Sequence, residues 1–179
     1  MGDPREDTRN VIDFYKYWTT EAIKADLREK CHNFSVLITN KFNEFNIGTV
    51  IRNANAFLAR DVIVYGRKKY DRRGTVGAHL YTNFKHVKFT DELDLTGCVM
   101  IGIDNLEGSV PMETFEWPTD KHVIMAFGQE GTGLTQDIID LCQHMVYIKQ
   151  YGSVRSLNVG CASSIAMYDY CRKVADKTT

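Results

Sequence analysis

Proline is scarce in this chain, three in 179 residues. That argues against a long disordered linker between domains. Net charge is also nearly absent, −1 at pH 7. The molecule as a whole is therefore no polycation, and any nucleic-acid contact must come from a local patch. The five cysteines are an odd number, and no two form a CxxC pair. A disulfide framework or a zinc site is thereby disfavoured, and reduced thiols in a cytoplasmic protein are expected. No apolar run reaches the length of about 18 residues that a spanning helix needs. The opening MGDPREDTRN carries no apolar core of a signal peptide. Internal repeats and low-complexity segments are missing too.

What is present fits one α/β domain. Hydrophobic residues make up 44% and charged residues 25%, close to the globular average. Residues 1–10 read as a tail. Ile12, Tyr15, Trp18, Ala22 and Ile23 recur at helical steps, predicting a helix from Val11 to about Lys30. It reads either as a packing helix or as an extension that touches a partner. FSVLIT (34–39) and DVIVY (61–65) read as strands, with a helix over 47–59 between them. Strand, helix, strand at this spacing is a parallel βαβ unit. Further strands are expected at 87–89, CVMIGI (98–103), HVIMAF (122–127) and 144–148, with a helical turn at 91–95. Helices are expected from Thr135 to about Cys142 and from Ser156 to about Val174. The alternation predicts a three-layer domain with a mostly parallel sheet flanked by helices.

Three stretches carry chemistry. In IKQYGSVRSLNVGCA (148–162) a strand runs through a polar turn into a helix start. That arrangement gathers backbone N–H groups and small side chains around a polar ligand. Ser156 reads either as an N-cap or as a ligand group. In FGQEGTG (127–133) the glycines invite two mismatches. The turn lacks the Gly-Lys-Ser/Thr ending of a P-loop, and GxEGxG is not the dinucleotide fingerprint GxGxxG. Glu130 would repel phosphate; it serves either a cationic or hydroxyl-bearing ligand or the helix dipole. In NIGTVIRNANAF (46–57) Arg52 stands among apolar residues, and Asn46 is a natural N-cap. A fourth stretch, GRKKYDRRG (66–74), follows a parallel strand. It reads either as a phosphate-binding patch with a stacking ring or as a solvated loop. Arg67, Lys68, Lys69, Arg72 and Arg73, together with Arg155, are the candidate RNA contacts.

The three motifs, in this order, resemble the SpoU-type RNA methyltransferases of the SPOUT class. The similarity runs from about Phe34 to the carboxyl end. It divides the chain into an amino-terminal tail and helical extension (1–32) and a methyltransferase domain (33–179). The resemblance implies an α/β fold with a carboxy-terminal deep trefoil knot and a homodimer whose site draws on both subunits. It also implies methyl transfer from S-adenosylmethionine to a ribose 2′-hydroxyl of tRNA or rRNA, without a metal. By the same resemblance Arg52 activates the ribose hydroxyl, and Asn46, Glu130, Ser156 and Asn158 complete the reacting site. Ile103, Gly128, Ile148, Ser156 and Leu157 hold the methyl donor. One departure is Lys149-Gln150, where the family commonly has proline and a hydrophobic residue. An RNA-binding protein of the same fold without the activity is the alternative, as is an unrelated α/β nucleotide-binding enzyme.

Overall fold

A computed structural model describes residues 7–41 and 45–177. The first six residues of the expected tail and residues 42–44 of the loop after the first strand lie outside the described residues. Among the described residues seven strands form one sheet: β1 (Phe34–Asn40), β2 (Val62–Gly66), β3 (Phe84–Val87), β4 (Cys98–Ile103), β5 (Val110–Pro111), β6 (His122–Phe127) and β7 (His144–Tyr147). The order is β3-β2-β1-β6-β4-β7-β5, and every pairing is parallel. Parallel sheets are covered on both faces, so their strands read as continuous apolar runs rather than alternating ones. β1 shows this directly, with all seven residues buried.

Among the described residues four α-helices accompany the sheet: α1 (Thr20–Lys30), α2 (Asn46–Ala56), α3 (Gln136–Ile139) and α4 (Val159–Lys173). α2 and α4 cover one face, where Ile47, Val50, Ile51, Met167 and Tyr170 join Val36, Ile38 and Met125 in one apolar cluster. Alternate strand residues, among them Leu37, Met100, Ile124 and Ala126, pack on the other face against Leu134 and Ile138. α1 is held through a small separate cluster of Tyr15, Ile23 and Tyr81.

Several expected boundaries move, each for a local reason. The amino-terminal helix does not start at Val11. A 3-10 turn at Asp13–Tyr15 comes first, Tyr17 adopts φ 67°, and Thr19 caps α1 by accepting from Ala22 N. Within the expected tail, the Asp7 carboxylate accepts from Tyr17 N and pairs with Arg9. α2 stops at Ala56, two residues before Leu58 turns to φ 53°. The strand expected at 87–89 lies at 84–87 instead, in register with β2. The turn at 91–95 shortens to a 3-10 turn at Thr90–Glu92. The expected helix 135–142 keeps only one α-helical turn at Gln136–Ile139. α4 begins at Val159 rather than Ser156, because Asn158, not Ser156, supplies its cap. β5 has no signal beyond Val110 and Pro111; as an edge strand it tolerates proline.

Candidate active site

The segments that follow β6, β4 and β7 meet the start of α2 on one side of the sheet, where open parallel sheets place their ligands. At their junction stands Asn158. Its Nδ2 donates to Glu130 Oε1 at 2.6 Å and to Asn46 Oδ1 at 3.0 Å. Its Oδ1 accepts from Gly160 N at 2.9 Å and Cys161 N at 3.3 Å. An asparagine amide has two N–H donors and two acceptor lone pairs. All four are used, and one side chain from each of the three motifs is thereby tied together. Asn46 does not cap α2 with its side chain; Phe45 occupies the cap position without a side-chain bond. Asn46 instead turns its oxygen to α4.

The start of α4 lies close against α2. A Cβ on Gly160 would come 2.7 Å from Thr49 Cγ2. Asn53 Nδ2 donates to Gly160 O at 2.8 Å and to Ser163 Oγ at 3.0 Å. Arg52 is exposed on α2 and, three residues after Thr49, is its neighbour on the helix surface. No hydrogen bond or ion pair engages its guanidinium among the described residues, so the surface salt bridge usual for a lone arginine does not form.

The second motif is folded back on itself. Gln129 and Gly133 exchange backbone hydrogen bonds at 3.2 and 3.0 Å. Gly128 has no room for a side chain, since a Cβ would sit 2.0 Å from Gly133 C. Buried Gln129 accepts from Lys41 N at 2.6 Å, fastening this turn to the segment after β1.

Beside Asn158 opens a cleft lined by Ile103, Asp104, Asn105, Ile148, Gln150, Ser156, Leu157 and Ala162. Four of the five expected donor-binding residues, Ile103, Ile148, Ser156 and Leu157, therefore line this cleft. Gly128 is not on the lining; it shapes the turn behind it. Asp104, Asn105 and Ala162 were not singled out in the sequence. The available signal was position: Asp104 follows the last residue of a parallel strand. Asp104 Oδ2 accepts from Leu134 N at 3.1 Å and Oδ1 from Asn105 N at 2.9 Å. Asn105 Nδ2 donates to Arg155 O at 2.6 Å, which draws exposed Arg155 to the rim.

Of the basic loop, Arg67, Lys68, Lys69, Arg72 and Arg73 are all exposed. Arg73 is engaged by Asp71 through a 2.6 Å ion pair and lies 6.0 Å from the Phe45 ring centroid. No group of three or more His, Cys, Asp or Glu suited to a metal occurs among the described residues. No helix there is long and apolar enough to cross a membrane.

The fold and this junction of three motifs define a SpoU-like parallel α/β domain of the SPOUT type. The SpoU rRNA Methylase family model matches residues 33–168, and the chain belongs to that family. A Staphylococcus aureus protein of the TrmH family of tRNA/rRNA methyltransferases is 26% identical over 97% of this chain and 73% of its own length. The SpoU methyltransferase AviRb of Streptomyces viridochromogenes, in complex with the cofactor AdoMet, superposes with a TM-score of 0.68 at 25% identity, over 79% of this chain. This chain spans 60% of AviRb's length. The A. aeolicus TrmH/SpoU tRNA modifying enzyme gives a TM-score of 0.75 at 23% identity, over 89% of this chain and 86% of that one.

Proposed function

We propose that the protein is an S-adenosylmethionine-dependent RNA methyltransferase that modifies a ribose 2′-hydroxyl of tRNA or rRNA. The observation that carries this reading is the convergence of the three motifs on Asn158, directly beside the cleft of Ile103, Ile148 and Leu157. Apolar walls with a few polar groups suit an adenosine-containing ligand. The buried Oε1 of Gln150, without a protein partner, lies on a residue of that wall. Such an acceptor fits a site whose ligand carries N–H donors.

When bound, S-adenosylmethionine supplies a methyl group on a sulfonium centre. The chain's own part is alignment and charge. Asn158 fixes Glu130 and Asn46 against the start of α4. The Arg52 guanidinium, a planar fork of N–H donors, orients the ribose hydroxyl and a neighbouring RNA phosphate, and the phosphate assists in accepting the proton. Most of the acceleration comes from holding hydroxyl, methyl and sulfur in line. Arg67, Lys68, Lys69, Arg72 and Arg155 form the RNA-facing charge, with Arg73 shared with Asp71.

The working unit is a homodimer with the carboxy-terminal segment threaded as a trefoil knot. Cys161, Ile165 and Tyr168 stand exposed at three- and four-residue steps on α4. With exposed Val154 and Leu157 they form an apolar surface for the second copy. Residues 1–32 are an extension to a methyltransferase domain over 33–179. Tritiated methyl transfer to bulk tRNA and rRNA, followed by alkaline hydrolysis, tests the reaction. Ribose methylation leaves alkali-resistant dinucleotides; label recovered on bases would sink the ribose assignment.

A further inference from the structure

The carboxylate of Asp104 belongs to none of the three motifs, yet it lines the cleft. It follows β4 directly and is half-buried. Each oxygen already accepts one backbone N–H, Oδ2 from Leu134 and Oδ1 from Asn105. These bonds fix the plane of the carboxylate and leave each oxygen a free lone pair. The approach is close: a Cβ on Gly133 would come 2.6 Å from Asp104 Oδ2. Glycine at 133, at φ 65°, therefore admits the carboxylate as well as the turn. No lysine or arginine pairs with Asp104 among the described residues. A fixed acid with two parallel acceptors, beside an apolar wall, matches a molecule with two adjacent hydroxyl donors.

We propose that Asp104 is the receptor for the vicinal ribose hydroxyls of the adenosyl ligand, one hydroxyl to each carboxylate oxygen. The proposal rests on the donor-binding reading above and assigns that site a specificity residue. Carboxylate recognition of a sugar diol is strong because both bonds are charge-assisted. An α-ammonium is the other group of the ligand that a carboxylate can take. Its three N–H donors sit on one nitrogen, whereas a vicinal diol brings two separate donor oxygens, one for each oxygen of the fixed carboxylate.

Calorimetry separates these possibilities with three probes: S-adenosylhomocysteine, its 2′,3′-dideoxy analogue, and 5′-methylthioadenosine, which keeps the diol and lacks the ammonium. Wild-type protein is expected to bind the dideoxy analogue at least about ten-fold more weakly than S-adenosylhomocysteine. Asp104→Asn keeps an acceptor for Leu134 N. It is expected to weaken S-adenosylhomocysteine and 5′-methylthioadenosine by about ten-fold each while barely changing the dideoxy analogue. Equal binding of the first two probes by wild type overturns the proposal without any variant. An equal loss on all three probes in Asp104→Asn overturns it too and leaves Asp104 as a latch for the turn. A loss confined to the ammonium-bearing probes assigns the carboxylate to that group instead. If wild type binds none of the three, the methyltransferase reading itself fails.

Discussion

Asn158 Nδ2 lies 2.6 Å from Glu130 Oε1, joining the head of α4 to the turn after β6. The same amide caps α4 through its oxygen. Asn158→Asp keeps the cap but sets a second carboxylate against Glu130. It is expected to fold with nearly unchanged melting temperature and to lose methyl transfer by two orders of magnitude or more. Asn158→Ala removes the cap as well, at about 1 kcal/mol, which for a domain of this size lowers the melting temperature by roughly 2–4 °C. Thermal melts and single-turnover transfer measured side by side check both. An inactive Ala variant with an unchanged melt would show that the cap contributes nothing.

Arg52 is exposed, so its removal opens no cavity. Arg52→Ala is expected to leave the fold and donor binding intact while kcat falls at least about 100-fold. Calorimetry and kinetics on one preparation distinguish this from unfolding. Arg52→Lys restores charge but not the planar fork of donors, and rescue should be slight.

These two residues also show what a single sequence can disclose. The strands were legible because strands of a covered parallel sheet are continuous, mostly apolar runs, as 34–39 and 98–103 are. Edge strand β5 was not, since two residues carry no period. Arg52 and Glu130 stood out as charges in unexpected company. The role of Asn158 as clamp was hidden, because its partners Asn46 and Glu130 are 112 and 28 residues away in sequence. Ser156 reads as a cap in the sequence for a similar reason: helix propensity cannot choose between two capping residues two positions apart. The polar turn runs on through Asn158, and the amide that finds N–H groups at Gly160 and Cys161 decides. Asp104 was passed over because an acid after a strand is common in loops; its two backbone bonds appear only in three dimensions.

Gly128 makes the sharpest packing prediction. Any Cβ there meets backbone, 2.0 Å from Gly133 C and 2.3 Å from Leu134 N, and backbone cannot step aside as a side-chain tip can. Gly128→Ala is expected to cost about 1–3 kcal/mol by overpacking and to abolish donor binding by reshaping the turn. A variant that melts and binds like wild type would show that the turn opens readily.

His122 links stability to pH. Its Nε2 lies 2.8 Å from Ser35 Oγ and its Nδ1 3.0 Å from Asn33 Oδ1. Asn33 Oδ1 can only accept, so Nδ1 carries the proton and Nε2 accepts from the Ser35 hydroxyl. Burial first, then Arg60, pushes the imidazole pKa below 6.5, with Asp61 opposing. The unfolded chain therefore takes up a proton near pH 6.5 while the folded chain does not. The stabilisation is complete above pH 6.5 and is lost as pH falls from there toward the folded pKa. His32 and His79 are lowered by burial as well and act in the same direction. Melting temperature measured from pH 7.5 to 5 should fall, and His122→Gln should flatten that fall. Identical slopes in the two proteins would remove His122 from the account.

The basic loop divides into free and engaged charge. Arg73 faces Asp71 through Nε and Nη2, with contacts from 2.6 to 3.1 Å, whereas Arg67, Lys68, Lys69 and Arg72 stand exposed. A phosphate contact releases counterions, so each one lost lowers the slope of log affinity against log salt by about one. Arg72→Ala is expected to reduce the slope for RNA by that amount. Arg73→Ala should reduce it less, because Asp71 already offsets part of its charge. Adding Asp71→Asn to the wild-type loop should then tighten RNA binding at low salt by freeing Arg73. Filter binding of tRNA between 50 and 300 mM salt (on the order of the range over which such slopes are read) measures all three. Slopes that match wild type throughout would mean that RNA lies elsewhere on the molecule, with Arg155 at the cleft rim the next residue to replace.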